Sequence, residues 1–200
     1  NAAYMGFPLI EALFSAEGLI YASVYVTVFN ILLWTVGFGM ITGTVEPKEV
    51  VRTVCTNPVL IAVVIGLVIY LCQIPVPEVI EQPLALIGNM NTPLSMIITG
   101  MMIAGSNLAQ MLCDRRILSV MGIRMLLIPA VCFALFFACG FSGMAAGVVL
   151  LLEACPSAAI TSVFAVQYSY DEEFAAGSVV ITTLLSIVIL PVCAMLLPGM

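Results

Sequence analysis

Long apolar runs separated by short polar clusters dominate the chain. A membrane-crossing helix needs about 20 mainly apolar residues, within a range of roughly 17–25. On that criterion the pattern predicts seven helical segments: 1–13, 18–43, 58–73, 84–106, 117–139, 144–168 and 175–197. The first is too short to cross a bilayer by itself. Turn-forming or charged residues divide the segments: Ser15-Ala16-Glu17, Glu46-Pro47-Lys48-Glu49, Pro75-Val76-Pro77, Asp114-Arg115-Arg116 and Asp171-Glu172-Glu173. No linker is long or polar enough to separate two soluble domains.

Composition turns this pattern into a fold class. The 200 residues are 63% hydrophobic and 8% charged, with a mean hydropathy of +1.24. Soluble domains run at roughly 45–50% apolar and about 25% charged. The expectation is an all-α polytopic membrane protein whose first partner is the lipid bilayer. Five Lys and Arg against eleven Asp and Glu give a net charge of −6, the wrong sign for nucleic acid. The chain has no His, which removes His-based triads, His general bases and most zinc sites. An intramembrane protease would need an aspartate pair, a Ser/His dyad or an HExxH motif, and none is present, so no enzyme is expected. The seven Cys form no CxxC pair and lie mostly in apolar runs, where they read as buried free thiols rather than metal ligands. Neither a metal nor a cofactor is implied.

Charge also orients the chain. Lys48 and Arg52 follow the second segment, and Arg115 and Arg116 follow the fourth, whereas loops of opposite parity carry neither Lys nor Arg. The positive-inside rule places residue 1 near the cytoplasm and the C-terminus outside, in a multi-pass protein of the plasma membrane. The acidic loop at 169–174 falls on the cytoplasmic side.

The two ends of the chain share a pattern. Gly6-Phe7-Pro8, an acidic turn and Ala22-Ser23-Val24-Tyr25-Val26-Thr27 form one copy. Ala154-Cys155-Pro156, an acidic turn and Gly177-Ser178-Val179-Val180-Ile181-Thr182 form the other. The copies begin on opposite sides of the membrane and are therefore inverted. Proline inside a membrane helix frees a carbonyl that lipid cannot satisfy, so such breaks belong beside protein or a water-filled cavity. Paired broken helices point to a transporter's midplane site.

Asn1-Ala-Ala-Tyr-Met-Gly6-Phe-Pro8-Leu9 resembles the first crossing-helix motif of the auxin efflux carrier family of membrane permeases. Glu153-Ala-Cys-Pro156-Ser157, with Val163-Phe164-Ala165 and Tyr168, resembles the second. Asn57-Pro58, Thr92-Pro93-Leu94-Ser95, and Gly122-Ile-Arg124 with Pro129 are similar in order and spacing. The resemblance implies secondary transport of organic anions, dicarboxylates such as malate or monocarboxylates, by alternating access. It implies ten helices in two inverted five-helix repeats joined by two Pro-broken crossing helices. Residues 1–43 then end the first repeat, 44–57 form a cytoplasmic loop and 58–200 form the second repeat, with the first three helices missing. A homodimer is suggested by the same resemblance. A sodium-coupled bile-acid-type carrier of related fold and a non-transporting membrane receptor or subunit are the alternatives.

Within that frame Asn1 matches the family's crossover Asn, which contacts the substrate carboxylate; an amide donates to an anion without adding charge. Half-helix ends after Pro8 and Pro156 offer free N–H groups, so Met5, Gly6, Phe7, Cys155, Ser157 and Ala158 are expected to line the substrate site, with Asn30 contributing from the second segment. Glu153 is an intramembrane carboxylate. A charge at bilayer depth costs roughly 2.5–3.5 kcal/mol on insertion scales, and burial disfavours a carboxylate's charged form, which makes Glu153 the candidate for proton coupling; sodium is the alternative ion. Arg124, two turns into the fifth segment, is a candidate gate, a partner for Asp171 or Glu172, or a side chain that snorkels to the interface.

Overall fold

The computed structural model describes residues 1–43, 52, 55–56 and 58–196. Among them the secondary structure is helical, with no strand. A π turn over Ala2–Gly6 leads into α1 (Phe7–Leu32), a second π turn (Leu33–Gly37) and α2 (Phe38–Thr42). Next come α3 (Pro58–Leu71), α4 (Glu78–Asn89), α5 (Asn91–Ala104) and α6 (Leu108–Cys113). A third π turn (Ile123–Leu127) joins α7 (Arg115–Gly122) to α8 (Ile128–Cys139). Finally α9 (Met144–Glu153), α10 (Ile160–Gln167) and α11 (Glu172–Leu196) complete the chain.

Three stretches of the described residues are continuous and apolar enough to cross a membrane by length and composition: Ala2–Ile41, Arg115–Cys139 and Glu172–Leu196. The difference from seven predicted segments has local causes. Segments 1–13 and 18–43 run together, and the turn expected at 15–17 survives as a kink at Ser15 (φ 58°, ψ −160°). Segment 84–106 is two helices, because the chain turns at Met90 between Asn89 and Asn91. Pro93 then sits in the first turn of α5, where its missing N–H costs nothing. Segment 144–168 is divided by residues 154–159, which leave helical geometry around Pro156.

Pro8 does not break its helix. The N–H of Phe7 reaches back five residues to the carbonyl of Ala2, and the N–H of Ile128 does the same to Ile123, just ahead of Pro129. A proline ring clashes with the carbonyl four residues upstream, and widening the preceding turn to i→i+5 relieves it. The expectation of two Pro-broken helices therefore holds for Pro156 and is corrected for Pro8, which widens its helix.

The chain forms two compact units, residues 1–22 with 91–200, and residues 23–90. In the first unit Met111, Ile117, Val180 and Ile181 form a buried cluster, flanked by Met102, Ile103, Leu108, Met121, Phe174 and Leu184. Gly177 lets α11 approach α7: a Cβ there would lie 2.6 Å from Ile117 Cδ1. Small residues at helix contacts serve membrane proteins this way, since lipid offers no hydrophobic drive for helices to associate. The second unit carries outward apolar side chains such as Val64, Leu71, Leu86 and Ile87, as a lipid surround requires.

All seven cysteines are free thiols, but only Cys155 and Cys193 are buried; Cys132 is half-buried and Cys55, Cys72, Cys113 and Cys139 are exposed. The expectation of generally buried thiols is corrected accordingly. An apolar setting in sequence includes lipid-facing surface as well as core.

Two local features recur at matching places. Ser15 and Ser169 both adopt left-handed φ, 58° and 54°. Twelve residues past Ser15, the Thr27 hydroxyl donates to the Ser23 carbonyl at 2.7 Å. Thirteen past Ser169, Thr182 donates to the Ser178 carbonyl, also at 2.7 Å.

Candidate functional site

The first unit gathers its polar residues where α9 ends. The helix stops at Glu153, residues 154–159 run unwound, and α10 begins at Ile160. Ala154, Cys155 and Pro156 in this break are buried. Against it lies the start of the chain: the main-chain nitrogen of Asn1 donates to the Pro156 carbonyl. Gly6 allows the approach, because a Cβ there would fall 2.5 Å from Leu152 Cδ2 and 3.3 Å from Cys155 Sγ. Two segments 155 residues apart in sequence thus cross at Asn1 and Pro156.

The crossing is polar on one side. Thr182 of α11 points its hydroxyl at the break and accepts from the Ser157 N–H at 3.0 Å. Ser178, Thr182 and Ser186 follow at four-residue spacing, which puts them on one face, and all three are buried. Asn91 of α5 donates to the carbonyl of Ala3 at 3.5 Å. Three other buried polar atoms near these residues, Asn1 Nδ2, Ser178 Oγ and Thr183 Oγ1, have no hydrogen-bond partner among the described residues. A buried polar group left unpaired costs roughly 1–3 kcal/mol, so such atoms in a native fold call for a ligand, ion or water.

Glu153 and Arg124 meet directly. Arg124, carried by the third π turn, places Nη1 3.1 Å from Glu153 Oε2, with about a quarter of each side chain still exposed. The sequence expectation had offered Asp171 or Glu172 as partners for Arg124; Arg116 takes Asp171 instead, at 2.8 Å. The Cys155 thiol lies within electrostatic reach of this pair.

Of the other expected site residues, Met5, Phe7, Ser157 and Ala158 are partly buried and Pro8 sits one turn beyond the crossing. Asn30 belongs to the second unit and donates its amide to the Val26 carbonyl of its own helix at 2.9 Å. Thr182 was not singled out as a site residue from the sequence. The signal was available in the repeated Ser-x-x-x-Thr of residues 23–27 and 178–182.

A second polar cluster joins the loop before α7 to the loop before α11. Arg116 binds Asp114 at 3.0 Å and Asp171 at 2.8 Å, and its guanidinium lies 5.1 Å from the Phe174 ring centroid. Gln110 donates to Glu173 at 2.8 Å. Hydrogen bonds from the Arg116 side chain and main chain hold the Asp114 carboxyl below its ordinary range. The Phe174 N–H, and after it Arg116, do the same for Asp171.

A family model described as membrane transport protein matches residues 45–194. The chain belongs to this auxin efflux carrier-like family. The chain is 25% identical over 199 residues to an uncharacterized transporter of Methanothermobacter thermautotrophicus, a match covering 98% of this chain and 65% of the relative. The chain thus spans 65% of that relative's length. No solved structure matches. As a family member with three helices long and apolar enough to cross a membrane, it is a multi-pass membrane protein.

Proposed function

We propose that the chain forms part of a secondary transporter for organic anions, carboxylates such as malate, working by alternating access around the crossing of residues 1–6 with 154–159. The observation that carries this reading is the Asn1 amide. Its Nδ2 is a buried donor without a partner among the described residues, beside an unwound segment whose own N–H groups are partly committed, Ser157 to Thr182. An unpaired amide N–H, with the Ser178 and Thr183 hydroxyls able to turn as donors, suits a carboxylate. Irregular backbone at membrane depth lining a site is the hallmark of transporter folds.

The recurring left-handed serines and threonine back-bonds support two related repeats, in a register that pairs Asn1 with Pro156 rather than Pro8 with Pro156. The Arg116–Asp171 pair supports the orientation: it joins two loops that the charge rule places on the cytoplasmic side, so the C-terminus lies outside, at the plasma membrane. Coupling to a proton or sodium gradient supplies the driving force, and a homodimer is the assembly we adopt.

The test is uptake of labelled malate and of an aromatic monocarboxylate into proteoliposomes holding the full-length gene product, with and without a pH gradient. Saturable uptake of either anion, reduced at least tenfold by Asn1→Ala, supports the reading. Absence of uptake of both sinks it.

A further inference from the structure

The Arg124–Glu153 pair needs a reason to exist. Replacing a buried ion pair with apolar side chains of similar volume is often neutral or stabilising, so structural support alone does not explain two opposite charges held at membrane depth. Several observations set this pair apart. It lies at the end of α9 where the helix unwinds, within electrostatic reach of Cys155. Glu153 Oε2 takes one nitrogen of a guanidinium that carries five N–H donors in a planar fork. Neither side chain is sealed off, with exposures of 24% and 27%. Arg124 rides on a π turn, an irregularity frequent at functional sites.

Resting on the anion-transporter reading, we infer that Arg124 is the cationic ligand of the transported carboxylate and that Glu153 is its resident competitor. Without substrate, the Glu153 carboxylate holds the guanidinium. An incoming carboxylate takes that place, forming the bidentate pair that Arg favours, and Glu153 leaves as the neutral acid after taking one proton from the water phase on the entry side. The Arg124 pair is neutral before and after: the one negative charge of the carboxylate group it binds enters with one proton, and both leave together on the far side, whatever further charge the rest of the substrate carries. One proton therefore accompanies each carboxylate bound to Arg124. Arg124 from the π turn faces Glu153 at 3.1 Å, and the thiols of Cys132 in α8 and Cys155 in the break lie within its electrostatic reach. Among these described groups Arg124 is the side chain with a permanent charge.

Labelled malate uptake by the full-length protein in proteoliposomes, measured between pH 6 and 8 for wild type, Glu153→Gln, Arg124→Lys and the double variant Arg124→Met/Glu153→Met, tests this. Wild-type KM should fall as pH falls, because protonating Glu153 frees Arg124. In Glu153→Gln, KM at pH 8 should drop by roughly fivefold or more, the low end of coupling between linked sites, and become flat with pH. The double variant should fold, judged by gel filtration in detergent, yet show KM raised at least tenfold; Arg124→Lys should fall between it and wild type. A double variant with wild-type KM and pH response overturns the inference while leaving the transporter reading intact. If the double variant does not fold, a pH-dependent KM in Glu153→Gln matching wild type overturns it equally. No carboxylate uptake by wild type removes the parent reading and this one together.

Discussion

The Thr182 hydroxyl accepts a hydrogen bond from the Ser157 N–H at 3.0 Å while donating to the Ser178 carbonyl at 2.7 Å. One side chain of α11 thus fixes the unwound segment after Pro156 to a continuous helix. Thr182→Val keeps the shape and removes both bonds, leaving a partly buried N–H unpaired. The expected cost is about 1–3 kcal/mol, seen as a lower midpoint for thermal unfolding in detergent. Thr182→Ser should retain most of the stability, because the hydroxyl remains. A Val variant as stable as wild type would show that the bond does not hold the segment.

Gly177 sets the spacing between α7 and α11. Gly177→Ala places a methyl group about 2.6 Å from Ile117 Cδ1, and overpacking of this kind typically costs roughly 1–3 kcal/mol. Ile117→Val deletes the atom in the way. The double variant should recover part of the loss, and a thermal-melt double-mutant cycle should report non-additivity beyond about 0.5 kcal/mol.

Acid should loosen the junction around Arg116. Asp114 and Asp171 both titrate below the ordinary Asp value of 3.8 in the folded protein. A depressed carboxyl contributes stability above its unfolded value and loses it as pH falls through the folded one. Between pH 7 and 5 the Asp171→Asn variant should therefore melt below wild type by a constant margin. Below pH 3.8 the margin should shrink as wild-type Asp171 protonates. High salt should reduce the margin as well, since the pair is exposed.

Cysteine labelling checks the orientation. Cys113 and Cys139 are exposed near opposite ends of the span Arg115–Cys139. In intact cells, a membrane-impermeant maleimide should modify a variant keeping only Cys139 and spare one keeping only Cys113 until the cells are permeabilised. The reverse pattern would invert the assigned topology.

Much was legible in the sequence because lipid imposes a simple condition. Backbone polar groups in a bilayer must be satisfied internally, so long apolar runs mean helices, and the runs at 117–139 and 175–197 match continuous helices over Arg115–Cys139 and Glu172–Leu196. The break at Pro156 and the turn near Ser15 were legible for a local reason, since proline and polar turn residues act on their own backbone. The behaviour of Pro8 was not. Whether a proline snaps a helix or widens one turn depends on whether the turn ahead of it can rearrange, and here the Phe7 N–H shifts back to the Ala2 carbonyl.

The helical class, the long runs at 117–139 and 175–197, the membrane setting and the family resemblance were thus determined by the sequence itself, through hydropathy, charge and ordered motifs. Partner choice was decided by tertiary structure alone. Sequence alone leaves Glu153 open to any cation or hydroxyl at its depth; packing of α9 against α8 and α11 brought it to Arg124, and left Asp171 to Arg116. Periodicity places a residue on a face, but it does not specify which face of a distant helix will lie opposite, and hydrogen bonds at 3 Å are set by that choice. The crossing of Asn1 with Pro156 and the anchoring of Ser157 by Thr182 belong to the same category.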